Sequence, residues 1–434
     1  MESAVFKPMD HARQINNGVN LLVFQLILNS VSLIAAYVLS SYFQRGRFDQ
    51  LFLNDAIDIP PVPGSFYPGP LGVHTFSDFL QPLWQSQLSP SPYIGKNSSY
   101  PPGANGVFWL LNKFPYWQAF CIFAVTSLIA FTYPFWRTFK NLESPNRIIH
   151  VLGGLWLTFP VLVALDRGNI QLLTSGLIIL AFYFEKRKNS VLAGFFLGAA
   201  ISLKVYPLLF MLIFLRKKAW RSSAYTVLSA GFMTVVPLLL FRGGLKLNIR
   251  ALTHNLSTSQ DDLSSLALFA NNSLKALSLS LRSTGLNQLG NFLNDYLLII
   301  SVVLVLVIFC GTLMKACDDL ELSLLIAASI TLLLVFSPGY VLLIFFVPIF
   351  FIYHDSSNLP RKWVIFYSGI IALIIMPKQL PMKFWKDTYL QSGPSIGSLM
   401  NPLIMLLLIF TILARIFCST RFKTKHRHED DALT

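Results

Sequence analysis

The chain has 434 residues, 54% of them apolar and only 12% charged, with 34 basic against 20 acidic side chains and a net charge of +14. Soluble domains carry about 25% charged residues, so this composition excludes a soluble fold and reads as an all-α polytopic membrane protein. The positive charge does not imply nucleic acid, because it sits in short loops: Arg137, Lys140 and Arg147; Lys186, Arg187 and Lys188; Arg216, Lys217, Lys218 and Arg221; Arg421, Lys423, Lys425 and Arg427. That is the positive-inside pattern, and it places those loops in the cytoplasm.

Residues 1–18 are polar and read as cytoplasmic. Residues 19–42 form the first span, too long for a signal-peptide core, so it stays as an anchor. Residues 44–115 form a long first external loop whose prolines, glycines and aromatics predict short helices lying on the membrane surface. Residues 116–136 are the second span, 148–165 the third and 170–184 the fourth, with Asp166-Arg-Gly-Asn169 in the turn between the last two. Residues 190–215 are apolar with basic clusters at both ends, so they must go out and come back. Two short helices broken near Lys204-Val-Tyr-Pro207 achieve this, since proline lacks a donor and restricts the residue before it. Non-helical backbone at membrane depth is tolerated only within protein or against a wet cavity. A cavity open to the outside is therefore predicted.

Residues 224–241 span again, and 242–295 make a second external loop. Within it, 263–281 has helical apolar spacing with Asn271-Asn-Ser273 near its middle and predicts an interfacial helix. Spans follow at 296–313, 322–336, 341–353 and 363–376, with Ser337-Pro-Gly-Tyr340 as an outer turn. A third external loop covers about 377–398, a last span 399–417, and a basic cytoplasmic tail about 418–434. Residues 1–434 thus read as a single integral membrane domain of about twelve transmembrane or re-entrant helices, in the cell membrane, with both termini cytoplasmic.

This topology gathers Asp78, Tyr93, Tyr100, Asp166, Arg167, Asn169, Lys204, Asn271 and Lys275 on the outer half. An Asp, Lys or Arg at a helix centre costs roughly 2.5–3.5 kcal/mol on insertion scales. Such residues persist where they face a cavity, a partner or a ligand. Asp78, in His74-Thr-Phe-Ser-Asp78-Phe, is the candidate general base; a turn or N-cap aspartate is the competing reading. Asp58, just before Pro60-Pro61, is the runner-up. Arg167 reads either as a phosphate ligand or as a helix-end residue paired with Asp166. Lys204 reads either as a point charge for a phosphate or as a cation reaching the headgroups. No G-x-x-x-x-G-K-[ST], D-x-D or H-E-x-x-H occurs, so ATP-driven pumping and metal-bound nucleotide-sugar chemistry are set aside, and no metal or other cofactor is expected. Cys121, Cys310, Cys317 and Cys418 lie in or beside apolar runs and form no disulfide framework.

Asp166-Arg-Gly-Asn-Ile-Gln171, the Ala-Gly-rich Ala193–Ala200 stretch running into Lys204-Val-Tyr-Pro207, and the basic Arg216-Lys-Lys218 resemble glycosyltransferase family 87, of the GT-C superfamily. Asp78-Phe, Pro92-Tyr93 and Tyr100-Pro-Pro102 look like the family's acidic motif, aromatic and Tyr-Pro-Pro, and Asn271-Asn-Ser-Leu274 like its Asn-x-Ser-Leu region. One departure is plain: many members carry histidine after the Ser-Pro that corresponds to Ser337-Pro338, and Gly339 stands here. The resemblance implies inverting transfer of a sugar, mannose first and arabinofuranose in some branches, from a polyprenyl phosphate to a lipid or glycan acceptor on the outer face. It implies Asp78 as base and Tyr93, Tyr100, Arg167, Asn169, Gln171, Lys204 and Asn271 as substrate-binding residues. The partners expected are membrane lipids, the lipid-linked donor and the acceptor. The alternative is a secondary transporter or lipid-linked sugar flippase, favoured only by Lys204 on a broken helix.

Overall fold

The computed structural model describes residues 76–88, 91–95, 98–139, 148, 151–266, 271–314, 317–335, 337–354, 359–378 and 395–431, together with Phe24, Ile27, Leu28 and Val31. Of the expected first span only those four residues are described, and all are helical. The rest of that span, Asp58 and most of the expected third external loop lie outside the described residues. Among the described residues the chain is helical throughout, with no strand.

Three helices come first: α1 (Ser77–Leu88), α2 (Pro102–Leu111) and the long α3 (Tyr116–Thr138). The expected third span is not one helix. A π-type turn at Leu152–Trp156 is followed by α4 (Phe159–Arg167). Gly153-Gly154 weakens the helix there, and Pro160 removes a donor and holds Thr158 and Phe159 to the start of a new one. Thr158 accordingly has extended backbone, φ −81° and ψ 144°. Then come α5 (Gln171–Lys186) and α6 (Ser190–Leu203). The predicted break is present: Lys204 is extended, φ −146° and ψ 138°. A 3-10 turn (Tyr206–Phe210) and α7 (Met211–Arg216) lead on to α8 (Trp220–Leu240).

The segment expected as the second external loop contains a long helix, α9 (Gly244–Leu266), and then α10 (Leu274–Ser283). The helix expected over 263–281 is therefore two pieces. Asn271–Ser273 are not helical, and the Ser273 hydroxyl caps α10 by accepting from the Ala276 N–H at 3.2 Å. A capping serine starts a helix more readily than it sits inside one. After α11 (Asn287–Asp295) the chain bends by 62° into α12 (Leu297–Leu313). Next are α13 (Asp319–Leu333), a 3-10 segment (Gly339–Phe345), α14 (Phe346–His354), α15 (Arg361–Ile375) and α16 (Ile396–Asp431).

Among the described residues α3, α8 and the Ile396–Ser419 part of α16 are long and apolar enough to cross a membrane, and the bent α11–α12 pair is a fourth candidate. The broken pieces Ser190–Leu203, Tyr206–Arg216 and Gly339–His354 are apolar but shorter. The bundle is built around α13, buried from Leu320 to Leu332. Large apolar side chains of α8 and α12 face outward instead, Phe232 68% and Leu313 82% exposed. Such surfaces are unfavourable in water and suit a lipid environment.

Glycine decides how closely the front helices meet. A Cβ at Gly198 would lie 1.9 Å from Ser229 Oγ and 2.7 Å from backbone of α8. One at Gly194 would lie 2.6 Å from the Ser222 carbonyl. The Gly194-x-x-x-Gly198 face thus lets two backbones touch, the device by which helices associate where no water drives them together. Ser229 Oγ adds a bond to the Gly194 carbonyl at 3.1 Å. At the far end of α7, Lys217 pairs with Asp319 at 2.5 Å, and Glu321 binds Tyr367 Oη at 2.7 Å and the Arg415 guanidinium.

Candidate functional site

Two docking events bring the first loop to the turn between α4 and α5. In the first, Gly168 ends α4 in the left-handed conformation, φ +62°, its N–H turned back on the Ala164 and Leu165 carbonyls. That is the geometry in which glycine closes a helix without steric cost. A Cβ there would lie 2.7 Å from Phe79 Cβ, so the missing side chain is also what lets α1 approach. Phe76, just before α1, is itself left-handed at φ +62° and donates its N–H to the Asp166 carbonyl at 2.6 Å. Its ring packs on Phe120, centroids 3.9 Å apart. A non-glycine residue in that region is held against its preference by these contacts.

The result places Asp78, in the first turn of α1, against the Asp-Arg-Gly-Asn turn. Arg167 Nη2 donates to Asp78 Oδ1 at 2.9 Å and Asn169 Nδ2 donates to Asp78 Oδ2 at 2.6 Å. Each oxygen therefore holds one donor and keeps lone-pair capacity for another. The side chains of Asp78 and Arg167 are 12% and 11% exposed. Asn169 is fixed in turn, its Oδ1 accepting the Gln171 N–H at 2.8 Å. The Gln171 side chain donates to Ser175 Oγ at 3.2 Å and accepts from the Tyr206 hydroxyl.

In the second event α2 wedges against α6 and α8. A Cβ at Gly103 would meet Ser202 Oγ at 2.5 Å, and one at Gly106 would meet Pro237 at 2.9 Å. Ser202 is two residues before Lys204, so this docking sets the Tyr100 ring beneath the Lys204 ammonium, 5.2 Å from the centroid. That is cation–π range. The Lys204 ammonium makes no hydrogen bond to any described residue, so its three donors remain available. It lies within electrostatic reach of Asp78. Burial raises the Tyr100 phenol, the Asp78 charge adds to this and Arg167 opposes it. The hydroxyl therefore stays protonated at neutral pH and can donate. Asp166 is 4% exposed, and its Oδ1 has no hydrogen-bond partner among the described residues. Burial pushes its carboxyl up to about 6; Arg167 works against that shift and Asp78 with it.

Asp78, Tyr100, Arg167, Asn169, Gln171 and Lys204 thus form one connected group. Tyr93 and Asn271 do not join it through their side chains. The Tyr93 hydroxyl donates to the Tyr100 carbonyl at 3.0 Å, and its ring is buried against Phe241. Asn271 donates to the Val335 carbonyl and accepts from the Ser273 and Ser337 N–H groups, tying the start of α10 to Val335 and Ser337. Tyr206 belongs to the group and was missed, although the Lys204-x-Tyr-Pro run already held it two residues from Lys204. Asn248 and Asn255 of α9 were missed as well. Asn255 Nδ2 donates to the Tyr93 and Ser98 carbonyls, both at 3.1 Å, and Asn248 Oδ1 accepts from Ser91 Oγ at 2.6 Å. These two residues clamp the loop that carries Tyr100. At Gly339, the ring of Phe159 fills the place of a side chain, 2.8 Å from where a Cβ would stand.

A helical chain with a carboxylate fixed by arginine and amide, beside an unspent ammonium on a broken apolar helix, has the makings of a membrane site for an anionic substrate. The model of glycosyltransferase family 87 matches residues 99–338, more than half of the chain, and the protein belongs to that family. Its curated relatives include GPI mannosyltransferase 1 of Kluyveromyces lactis, 36% identical over 63 residues that cover 14% of this chain and 16% of the relative. The Debaryomyces hansenii protein of the same name is 34% identical over 70 residues, 16% of this chain and 17% of the relative. That of Eremothecium gossypii is 27% identical over 175 residues, 38% and 41% of the two chains. The chain therefore spans less than half the length of each of these relatives.

Proposed function

We propose that the protein is an inverting membrane glycosyltransferase that moves a sugar, mannose first, from a polyprenyl-phosphate donor to a hydroxyl of a lipid or glycan acceptor. The observation that carries the reading is the Asp78 carboxylate, held through both oxygens by Arg167 and Asn169 within electrostatic reach of the uncommitted Lys204. Family membership and the mannosyltransferase names of the relatives support it. The reacting groups lie on the outer face of the cell membrane in this reading.

Asp78 takes the proton of the acceptor hydroxyl as its oxygen attacks the anomeric carbon. The new carbon–oxygen bond forms on the face opposite the phosphate, and the bond to the phosphate oxygen breaks. The lipid phosphate leaves as a stable anion and needs no proton, so one carboxylate suffices where glycosidases usually use two. Lys204 takes up the charge developing on the phosphate, in a site with little water to screen it. Arg167 is bonded to Asp78 and contributes charge from there, while Asn169, Gln171 and Tyr206 fix the base in place. Tyr100 donates its hydroxyl to donor or acceptor. The scheme uses no metal ion.

The test is Asp78→Asn in membranes supplied with a radiolabelled polyprenyl-phosphate mannose. Removal of a general base lowers turnover by about 10²–10⁴-fold. Asp78→Glu, which keeps the charge, should retain partial turnover and the wild-type melting behaviour. Near-normal transfer by folded Asp78→Asn protein overturns the assignment.

A further inference from the structure

Helix α9 follows α8 almost directly. Leu240 ends a helix long and apolar enough to cross a membrane, Phe241 is buried, and Gly243 and Gly244 turn the chain with φ of +99° and +68°. The start of α9 is therefore set at the depth where α8 leaves the bilayer. One face of α9 is committed to protein, since Asn248 and Asn255, seven residues apart, are the buried clamps on the 91–100 loop.

The remaining, exposed surface is sorted into rows. Residues four and seven apart on a helix share a strip of surface. Leu245, Ile249 and Leu256 make one exposed apolar row, with Ile249 44% exposed. Lys246, Arg250 and His254 make an exposed row next to it, which Arg242 extends backward into the turn. No acidic residue occurs between Arg242 and Gln260. An apolar row beside a cationic one, on a helix beginning at the end of a span, is the pattern of a helix lying in the membrane interface.

We infer that the outer side of α9 is a docking surface for the anionic headgroups of the leaflet in which α8 ends, with Leu245, Ile249 and Leu256 dipping between the lipids and Arg242, Lys246 and Arg250 on their phosphates. A helix seated in this way passes the position of the bilayer surface through Asn248 and Asn255 to the loop bearing Tyr100. A soluble protein or a free polyanion would match the cations but leave the apolar row without a purpose.

The test uses the full-length chain with Cys121, Cys310 and Cys418 changed to alanine and an environment-sensitive fluorophore on Ile249→Cys. Ser257→Cys, exposed and seven residues after Arg250, puts a second label on the cationic row. The protein is placed in vesicles of phosphatidylcholine with or without 30% phosphatidylglycerol, roughly the anionic content that gives a strong surface potential. The label at 249 should be blue-shifted and quenched by lipids spin-labelled near the headgroup, and spin-labelled phosphatidylglycerol should be favoured over the choline lipid. The label at 257, on the cationic row, should also be quenched near the headgroups but with a smaller blue shift than the label at 249. Each change among Arg242→Gln, Lys246→Gln and Arg250→Gln should reduce that preference about fivefold, the worth of one cation near an anionic surface. Equal quenching by both lipids, an unquenched label at 249, or a response to soluble inositol phosphates equal to that of the vesicles would each overturn the inference. None of these readings depends on sugar transfer, so they stand apart from the proposed activity.

Discussion

Replacing Gly168 by alanine tests the geometry that delivers Asp78. Two penalties are expected. The left-handed backbone costs a residue with a Cβ roughly 1–2 kcal/mol. The new methyl would also stand 2.7 Å from Phe79 Cβ, where ordinary contact begins at 3.4 Å, so α1 must retreat by about 0.7 Å. Taken along the bonds, that movement would stretch the Asn169–Asp78 bond from 2.6 Å to about 3.3 Å and the Arg167–Asp78 bond from 2.9 Å to about 3.6 Å. The second value is beyond a hydrogen bond, and bonds to charged groups are worth about 1.5–3 kcal/mol. The sum is a destabilisation of about 2.5–5 kcal/mol. Sugar transfer should fall about 10²-fold, the usual consequence of moving a catalytic group by nearly an ångström. The assay is transfer from polyprenyl-phosphate sugar together with thermal melting in detergent. Gly285→Ala is the control, because Gly285 is also left-handed at φ +94° but a Cβ there meets nothing within 4 Å. It should lose stability and keep turnover. If Gly168→Ala matched Gly285→Ala in turnover, the close approach of α1 would not be what positions Asp78.

At Gly198, alanine gains about 1 kcal/mol of helix propensity, but a Cβ 2.7 Å from α8 backbone forces the pair apart at about 1–3 kcal/mol. Gly198→Ala should lower the melting temperature, and a rise would refute the reading of that contact. Asp166 titrates near 6 in the folded chain, above its ordinary 3.8, so the folded state binds the extra proton and stability falls as pH rises through that window. Asp166→Asn should remove the slope and stabilise the protein above pH 6 by an amount of order 3 kcal/mol; melting curves that track wild type at every pH would contradict this. Gly339→His should destabilise by about 1–3 kcal/mol because Phe159 occupies the space. The loss should be recovered in part when Phe159→Leu is added, and strict additivity in that double-mutant cycle would exclude the coupling.

Much of this arrangement is legible in the chain. Basic clusters on both sides of an apolar run, with Lys204-x-x-Pro207 inside it, require a broken helix, and Lys204 is extended. The order of Asp78, Tyr100, Arg167 and Lys204 along the chain points to one group, and the structure connects them. What escaped reading depends on partners far away in sequence. Asn255 looks like an ordinary polar residue of an amphipathic helix until its bonds to Tyr93 and Ser98 are seen, 162 and 157 residues distant. The motif groups Asn271 with the site, and its hydrogen bonds go to backbone 64 and 66 residues away and to the N–H two residues on. Helical spacing over 263–281 was real on both sides of a gap, and periodicity does not register a capping serine in its midst. The glycine doublet that breaks the third span was present, but apolar length outweighed it.

The wedge of α2 fixes an order of events in the life of the chain. Gly103 and Gly106 rest on Ser202 and Pro237, and the loop before them is tied down by Asn248 and Asn255. The N-terminal loop is synthesised about a hundred residues before the groups that receive it. During synthesis at about 5–20 residues per second it must wait for seconds, since domains and loops dock only once their partners exist. The α6–α8 pair has to zip first, because its surface is the seat of α2. Asp78 and Lys204 therefore meet late, after the middle of the chain has been inserted, and an unfinished chain carries the residues of the site without the site.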